Sequence, residues 1–145
     1  MDLFSRIIVG WSMSDVIDSK LVQLAMRITL ADRRPKVGFI HHSDRGVQYP
    51  SDDFQKLLDD NKAICSMCRK GNRLNNACVE SFFGSLKSEW VKGRIYNMFD
   101  VSKKDIFNYI EMFYNRKRRH VLLGYVSPVV YEEIHEMKQC RKEHE

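Results

Sequence analysis

Two short apolar runs, Val37 to His41 and Ala63 to Met67, flank a segment in which Phe54, Leu57 and Leu58 recur at helical spacing. Strands joined by a helix run parallel, because the crossover returns the chain to the same end of the sheet. Apolar residues without alternation suit a strand covered on both faces. Gly46 supplies a turn after the first run, and Pro50-Ser51 opens the helix. Upstream, Arg6 to Ser12 is rich in β-branched and aromatic residues and reads as a further strand. Between them Ile17, Leu21, Leu24, Ile28 and Ala31 form one stripe of an amphipathic helix, with Asp15 or Asp18 as its cap and Pro35 as its stop. The order β-α-β-α-β predicts an α/β domain containing parallel strand pairs.

The C-terminal half reads as helical. After a polar loop, Arg69 to Asn76, a helix is expected from about Asn76 to Val91, with Val79, Phe83, Leu86 and Trp90 as its buried stripe. Glu80, Gly84 and Lys87 lie on an adjacent stripe. A second helix, Ser102 to Arg118, opens on a Ser102-x-x-Asp105 capping box. Ser127-Pro128 begins a last helix with Glu132 and Glu133 near its positive end. Residues 1–135 read as one domain and 136–145 as a charged tail.

At 145 residues the chain is long enough for a real core, and no apolar run approaches the roughly 20 residues that span a bilayer. The N-terminal segment lacks a signal-peptide pattern, so the cytoplasm is the expected location. A net charge of +5 favours a polyanionic partner, with Arg116-Lys117-Arg118-Arg119-His120 as one basic cluster and Arg69, Lys70 and Arg73 as another. Cys65, Cys68, Cys78 and Cys140 are expected to be reduced in that compartment. Cys65-x-x-Cys68 has the spacing of half a zinc site, but no second half stands at a matching distance, so the pair reads as incidental.

The chemistry concentrates in two acids. Asp44 follows the strand at Val37 to His41, Glu80 sits on the next long helix, and 35 residues lie between them. The carboxyl end of a strand opens onto a crevice where ligands bind. Two carboxylates gathered there offer hard oxygens to Mg²⁺, and a pair of such ions can activate an attacking oxygen and stabilise the leaving oxygen of a phosphodiester. Lys87, two turns beyond Glu80, suits a DNA phosphate, and Gly84 between them leaves room for a nucleic-acid backbone. Taken alone, such an Asp is also a common turn former, and such a Glu a solvated helix position.

The wording of the motifs decides between these readings. His42-Ser43-Asp44-Arg45-Gly46-Val47-Gln48-Tyr49, Lys70-Gly71-Asn72, Asn76-Ala77, Glu80-Ser81-Phe82-Phe83, Leu86-Lys87-Ser88-Glu89, Tyr114-Asn115, Arg118-Arg119-His120 and Leu123-Gly124-Tyr125 stand in order along the chain. Together they resemble the catalytic core of bacterial insertion-sequence transposases of the DDE type, relatives of retroviral integrases. The resemblance runs from Asp2-Leu3-Phe4-Ser5-Arg6 to Tyr131, and the 35-residue gap matches the family's spacing between second and third acids.

What the resemblance implies is an RNase H-like mixed sheet flanked by helices, followed by C-terminal helices. It implies Asp44 and Glu80 as catalytic ligands of Mg²⁺ or Mn²⁺, and Lys87, Arg69, Lys70 and Arg116 as DNA contacts. The reaction implied is nicking at element ends followed by attack of a DNA 3′-hydroxyl on target DNA. The implied partners are element ends and target DNA, with a homo-oligomer or full-length transposase in a synaptic complex, beside the bacterial nucleoid and away from membranes.

Two departures qualify this. The family's first acid lies on a strand upstream of the Asp-Leu-Phe-Ser-Arg segment, so this chain carries two of three acids. Asp2 matches a non-ligand position in the family. With the sheet order 3-2-1-4-5, the first strand and most of the second would be missing, and the chain is expected to be marginal, aggregation-prone and inert by itself. The alternative is a non-catalytic DNA- or transposase-binding remnant. Second, Arg73-Leu74-Asn75 stands where relatives commonly carry Cys-Trp-Asp, which alters the loop before the catalytic helix.

Overall fold

The computed structural model describes residues 1–43, 51–67 and 77–142. These fall into two compact units, Val9–Ser81 and Met1–Ile8 with Phe82–Glu145.

In the first unit, β1 (Ile40–Ser43) and β2 (Ile64–Met67) pair in parallel, in the register Ile40 to Ile64, His41 to Cys65 and His42 to Ser66. The helix between them is α2 (Asp52–Asp60), as the alternating pattern requires. Its Phe54, Leu57 and Leu58 are all buried and meet Met26 of α1 (Ser19–Arg33), with Val22, Leu30, Phe39 and Ala63 around them. Across the ladder, His42 Nδ1 lies 3.0 Å from Ser66 Oγ. The chain enters β1 through Gly38, whose φ of +84° is open to glycine at no steric cost.

Asp18 caps α1, accepting from the Leu21 N–H at 3.0 Å, and the helix ends at Arg34 immediately before Pro35. The buried stripe of α1 differs from the expected one. Val22, Met26 and Leu30 face the core, while Ile17 and Leu24 are exposed. Apolar residues lie on more than one side of this helix, and the neighbour α2 selects the side buried. The first strand starts three residues later than expected, because Val37 and Gly38 form a turn.

Residues Arg6 to Ser12 form no ladder among the described residues. A strand exists only through its partner, and here the segment is held by other contacts. Ser12 Oγ donates to Leu21 O at 2.7 Å. Gly10 lies so close to α1 that a Cβ there would stand 2.2 Å from Thr29 Oγ1 and 2.5 Å from Ala25 O.

The second unit is built on two helices that widen into π-helical turns. One is the part of α3 (Ala77–Ser85) from Phe82 onward, continued by Leu86–Val91; the other is α4 (Phe99–Phe107) continued by Asn108–Tyr114. A π turn closes from i to i+5, so side chains five apart return to one side. Tyr109 and Tyr114 do so: both are buried, with ring centroids 6.0 Å apart, and Phe82 packs against each. Trp90 adds a stacked contact with Phe113 and a tilted one with Tyr109. The buried row on the first helix is therefore Phe82 and Leu86 with Trp90 half-buried, whereas Val79 and Phe83 are exposed.

Helix α4 begins at Phe99 rather than Ser102, and the expected capping box does not form. The Asp105 carboxylate instead accepts from Arg94 Nη1 at 2.7 Å and from the Tyr96 hydroxyl at 2.5 Å. The last helix, α5 (Pro128–Lys142), starts at Ser127-Pro128 as expected, with Ser127 Oγ accepting from the Val130 N–H at 3.4 Å.

Further polar contacts hold this unit. The buried side chain of Asn115 accepts from the Ile8 N–H at 2.9 Å and donates to Ile8 O at 3.1 Å, pairing the backbone as a neighbouring strand would. The Arg118 guanidinium grips Glu89 through Nε and Nη2 at 2.8 and 2.6 Å, and donates to Ser85 Oγ at 3.1 Å. The buried Tyr109 hydroxyl donates to the same carboxylate at 3.2 Å. Hydrogen bonds from Arg118 are the main reason the Glu89 carboxyl sits below the usual carboxylate range. Burial, and then Glu89, pushes the Tyr109 phenol up.

Replacing Asn115 by Ala leaves both Ile8 backbone groups buried without a partner. This is expected to cost about 2–4 kcal/mol in urea unfolding. Asn115→Asp, which retains an acceptor but no donor, should fall between the two; wild-type stability in the Ala variant would remove the clamp from the account. For Glu89, the folded pKa lies below the unfolded value of about 4.3. Its contribution is therefore complete above that pH and fades as pH falls through the folded value. Arg118→Ala should accordingly destabilise most near pH 7 and progressively less below about pH 4, read from urea midpoints across that range. A penalty independent of pH would show that the pair stabilises by packing alone.

Candidate functional site

Glu80 lies in the first turn of α3, where the unpaired N–H groups and helix dipole favour a negative charge. Its side chain is exposed and has no hydrogen-bond or ion-pair partner among the described residues. Gly84, one turn on, is equally open: a Cβ there would meet no atom within 4 Å. Lys87 is exposed on the first π turn. Each of the three residues read as one stripe is thus exposed.

Asp44 follows directly on Ser43, the buried last residue of β1, and itself lies outside the described residues. So do Arg45, Gly46, Cys68, Arg69, Lys70 and the Arg73-Leu74-Asn75 segment. Of the expected acid pair the structure places Glu80, and of the expected DNA contacts it places Lys87 and Arg116.

The basic cluster after α4 is not one solvated face. Arg118 is committed to Glu89, and His120 packs edge-on against Tyr114 with centroids 4.9 Å apart. Arg116, Lys117 and Arg119 are exposed. Asp2 is also committed: its Oδ1 accepts from the Phe4 and Ser5 N–H groups at 2.8 and 3.3 Å, closing a local turn.

Cys65, Cys78 and Cys140 are thiols, and no group of three metal-binding side chains occurs among the described residues. No helix there is long and apolar enough to cross a membrane. The donor chemistry of the expected pair nevertheless fits a hard divalent cation: two carboxylates, of which Glu80 has neither oxygen engaged by another described residue.

The Glu89–Arg118–Tyr109 group was missed by sequence reasoning, although it fixes the π turn that carries Lys87. Its members stand 20 and 29 residues from Glu89, and neither separation has a periodicity to detect.

The comparisons with known proteins agree with the wording of the motifs. One model described as integrase core domain matches residues 1–73, and a second of the same description matches residues 80–135. The transposase InsF for insertion sequence IS3A of Escherichia coli strain K12 is 42% identical over 132 residues, covering 91% of this chain and 46% of that protein. An uncharacterized 31 kDa protein of insertion element IS600 from Shigella sonnei is 40% identical over 137 residues, covering 94% of this chain and 50% of that protein. The chain thus spans about half the length of these relatives. It belongs to the integrase core domain family, in the branch of insertion-sequence transposases.

Proposed function

We propose that this chain supplies the catalytic-core portion of a transposase, acting in metal-dependent phosphodiester cleavage and DNA strand transfer. The observation that carries the reading is Glu80, an exposed carboxylate in the first turn of α3 with no partner among the described residues, with 35 residues between it and the Asp that follows the buried Ser43 of β1. The fold family suggests an RNase H-like mixed sheet for residues 1–135, of which β1 and β2 would be one parallel pair.

Asp44 and Glu80 would hold Mg²⁺ or Mn²⁺. Bound there, the ions supply activation of the attacking oxygen and stabilisation of the leaving oxygen. The chain's own residues do the rest. Lys87 neutralises a phosphate next to the reacting one, and Gly84 lets the DNA backbone approach the helix. Arg116, with Arg69 and Lys70, extends the phosphate track. In the cleavage step water attacks phosphorus and a DNA 3′-hydroxyl leaves. In the joining step that hydroxyl attacks a target phosphodiester and displaces its 3′-oxygen, so one bond forms as one breaks. No protein nucleophile takes part.

Two of the family's three acids are carried here, so the 145-residue chain by itself is proposed to be inactive until a strand bearing the first acid is supplied. Assembly with other copies on element ends, in the bacterial cytoplasm, would complete the complex.

Glu80→Gln and Asp44→Asn should each weaken Mn²⁺ binding, followed by electron paramagnetic resonance, by about tenfold or more. Unchanged binding in both would overturn the metal assignment. Lys87→Ala should lower DNA affinity for all sequences alike and reduce the slope of log K against log salt by about 0.9. An unchanged slope would take Lys87 out of the interface.

A further inference from the structure

Residues 116–126 make an unusual projection on the second unit. The 3₁₀ turn Val121–Leu123 is enclosed by a small closed loop: His120 N–H donates to Val126 O at 3.1 Å, and Tyr125 N–H donates to His120 O at 2.9 Å. Leu123 points inward and is buried, and the His120 ring packs on Tyr114, so the base of the loop is anchored. Its tip points outward. Leu122 is 82% exposed and Tyr125 66% exposed.

Tyr125 is held at φ +63°, a conformation rare and strained for a bulky side chain. The His120–Val126 bridge on one side and Gly124, at φ +72°, on the other keep it there. The turn leading into the loop carries Arg116, Lys117 and Arg119, all exposed and with no acidic partner among the described residues. Arg118, the fourth cation of the run, is spent on Glu89 and so fixes the direction of the others.

Three exposed cations at the root of a strained, aromatic-tipped loop suit a polyanion that also offers flat apolar faces. We propose that residues 116–125 form a second DNA-reading element, in which Arg116, Lys117 and Arg119 grip phosphates while Tyr125, backed by Leu122, stacks on an unpaired or unstacked base. Charge complementarity selects nucleic acid over a protein partner, and aromatic stacking is tolerant of base identity. An apolar wedge beside a phosphate grip also favours DNA that is already distorted, where unstacking costs least. The element rests on the reading above that the partner is DNA, but it requires no metal ion.

The test is fluorescence anisotropy with the whole chain in EDTA, on a perfect duplex and on the same duplex with two central unpaired thymines. The expected result is tighter binding of the interrupted duplex by about tenfold. Tyr125→Ala should erase that preference with the salt slope unchanged, and Tyr125→Phe should keep it. The triple replacement of Arg116, Lys117 and Arg119 by Ala should weaken both duplexes and flatten the slope by about 0.9 per lost phosphate contact. The proposal is overturned if Tyr125→Ala discriminates as the wild type does, or if wild type shows no discrimination. It is equally overturned if Leu122→Ala lowers the mass of the DNA-free protein in sedimentation, which would make the loop a contact between copies. Because EDTA removes the cations, a failed Asp44–Glu80 assignment would leave these outcomes unaltered.

Discussion

A guanidinium laid against a carboxylate, Arg118 on Glu89, ties together the two wide helical turns on which the C-terminal unit depends. Widening a helix from four-residue to five-residue closure weakens its own hydrogen-bond geometry, and such turns persist where something outside the helix compensates. Here the compensation is shared. The ion pair, the buried Tyr109 hydroxyl on the same carboxylate, and the ring contacts among Phe82, Trp90, Tyr109, Phe113 and Tyr114 all act across the same pair of segments. Partial burial makes the pair worth more than an exposed one, since charge-assisted bidentate bonds strengthen as water is excluded.

That arrangement has consequences for placement. Lys87 lies two residues before Glu89 on the same π turn, and Arg116, Lys117 and Arg119 flank Arg118. One contact therefore orients an exposed cation on one segment and three on the other. A single Arg in a basic run can thus serve folding while its neighbours serve a ligand, and an equal weighting of all four would have misassigned it.

The elements most legible in the sequence were those set by local chemistry. Asp18 as a cap, Pro35 as a stop, Ser127-Pro128 as a start and the α2 face of Phe54, Leu57 and Leu58 depend on neighbours a few residues away. The parallel pairing of β1 and β2 followed from the helix between them. What could not be read was the choice among competing partners. Ser102 and Asp105 have the spacing of a capping box, but Arg94 and Tyr96 claim the Asp105 carboxylate. Val79 and Phe83 share the four-residue spacing of Phe82 and Leu86, yet the rings of Tyr109 and Tyr114, brought to one side by a wide turn, select the Phe82 row for burial. Arg6 to Ser12 has strand composition, and composition alone provides no ladder.

The candidate site shows the same division from the functional side. The exposure of Glu80, Gly84 and Lys87 was legible because their spacing keeps them on a stripe apart from Phe82 and Leu86, the residues that pack. A carboxylate and an ammonium left without partners among the described residues contribute no contact there to folding. The helix must draw its stability from its opposite side, where Phe82 and Leu86 are buried and Glu89 is locked. The open stripe and the over-determined aromatic face are therefore complementary requirements of one segment. The second explains how the first can be maintained in water.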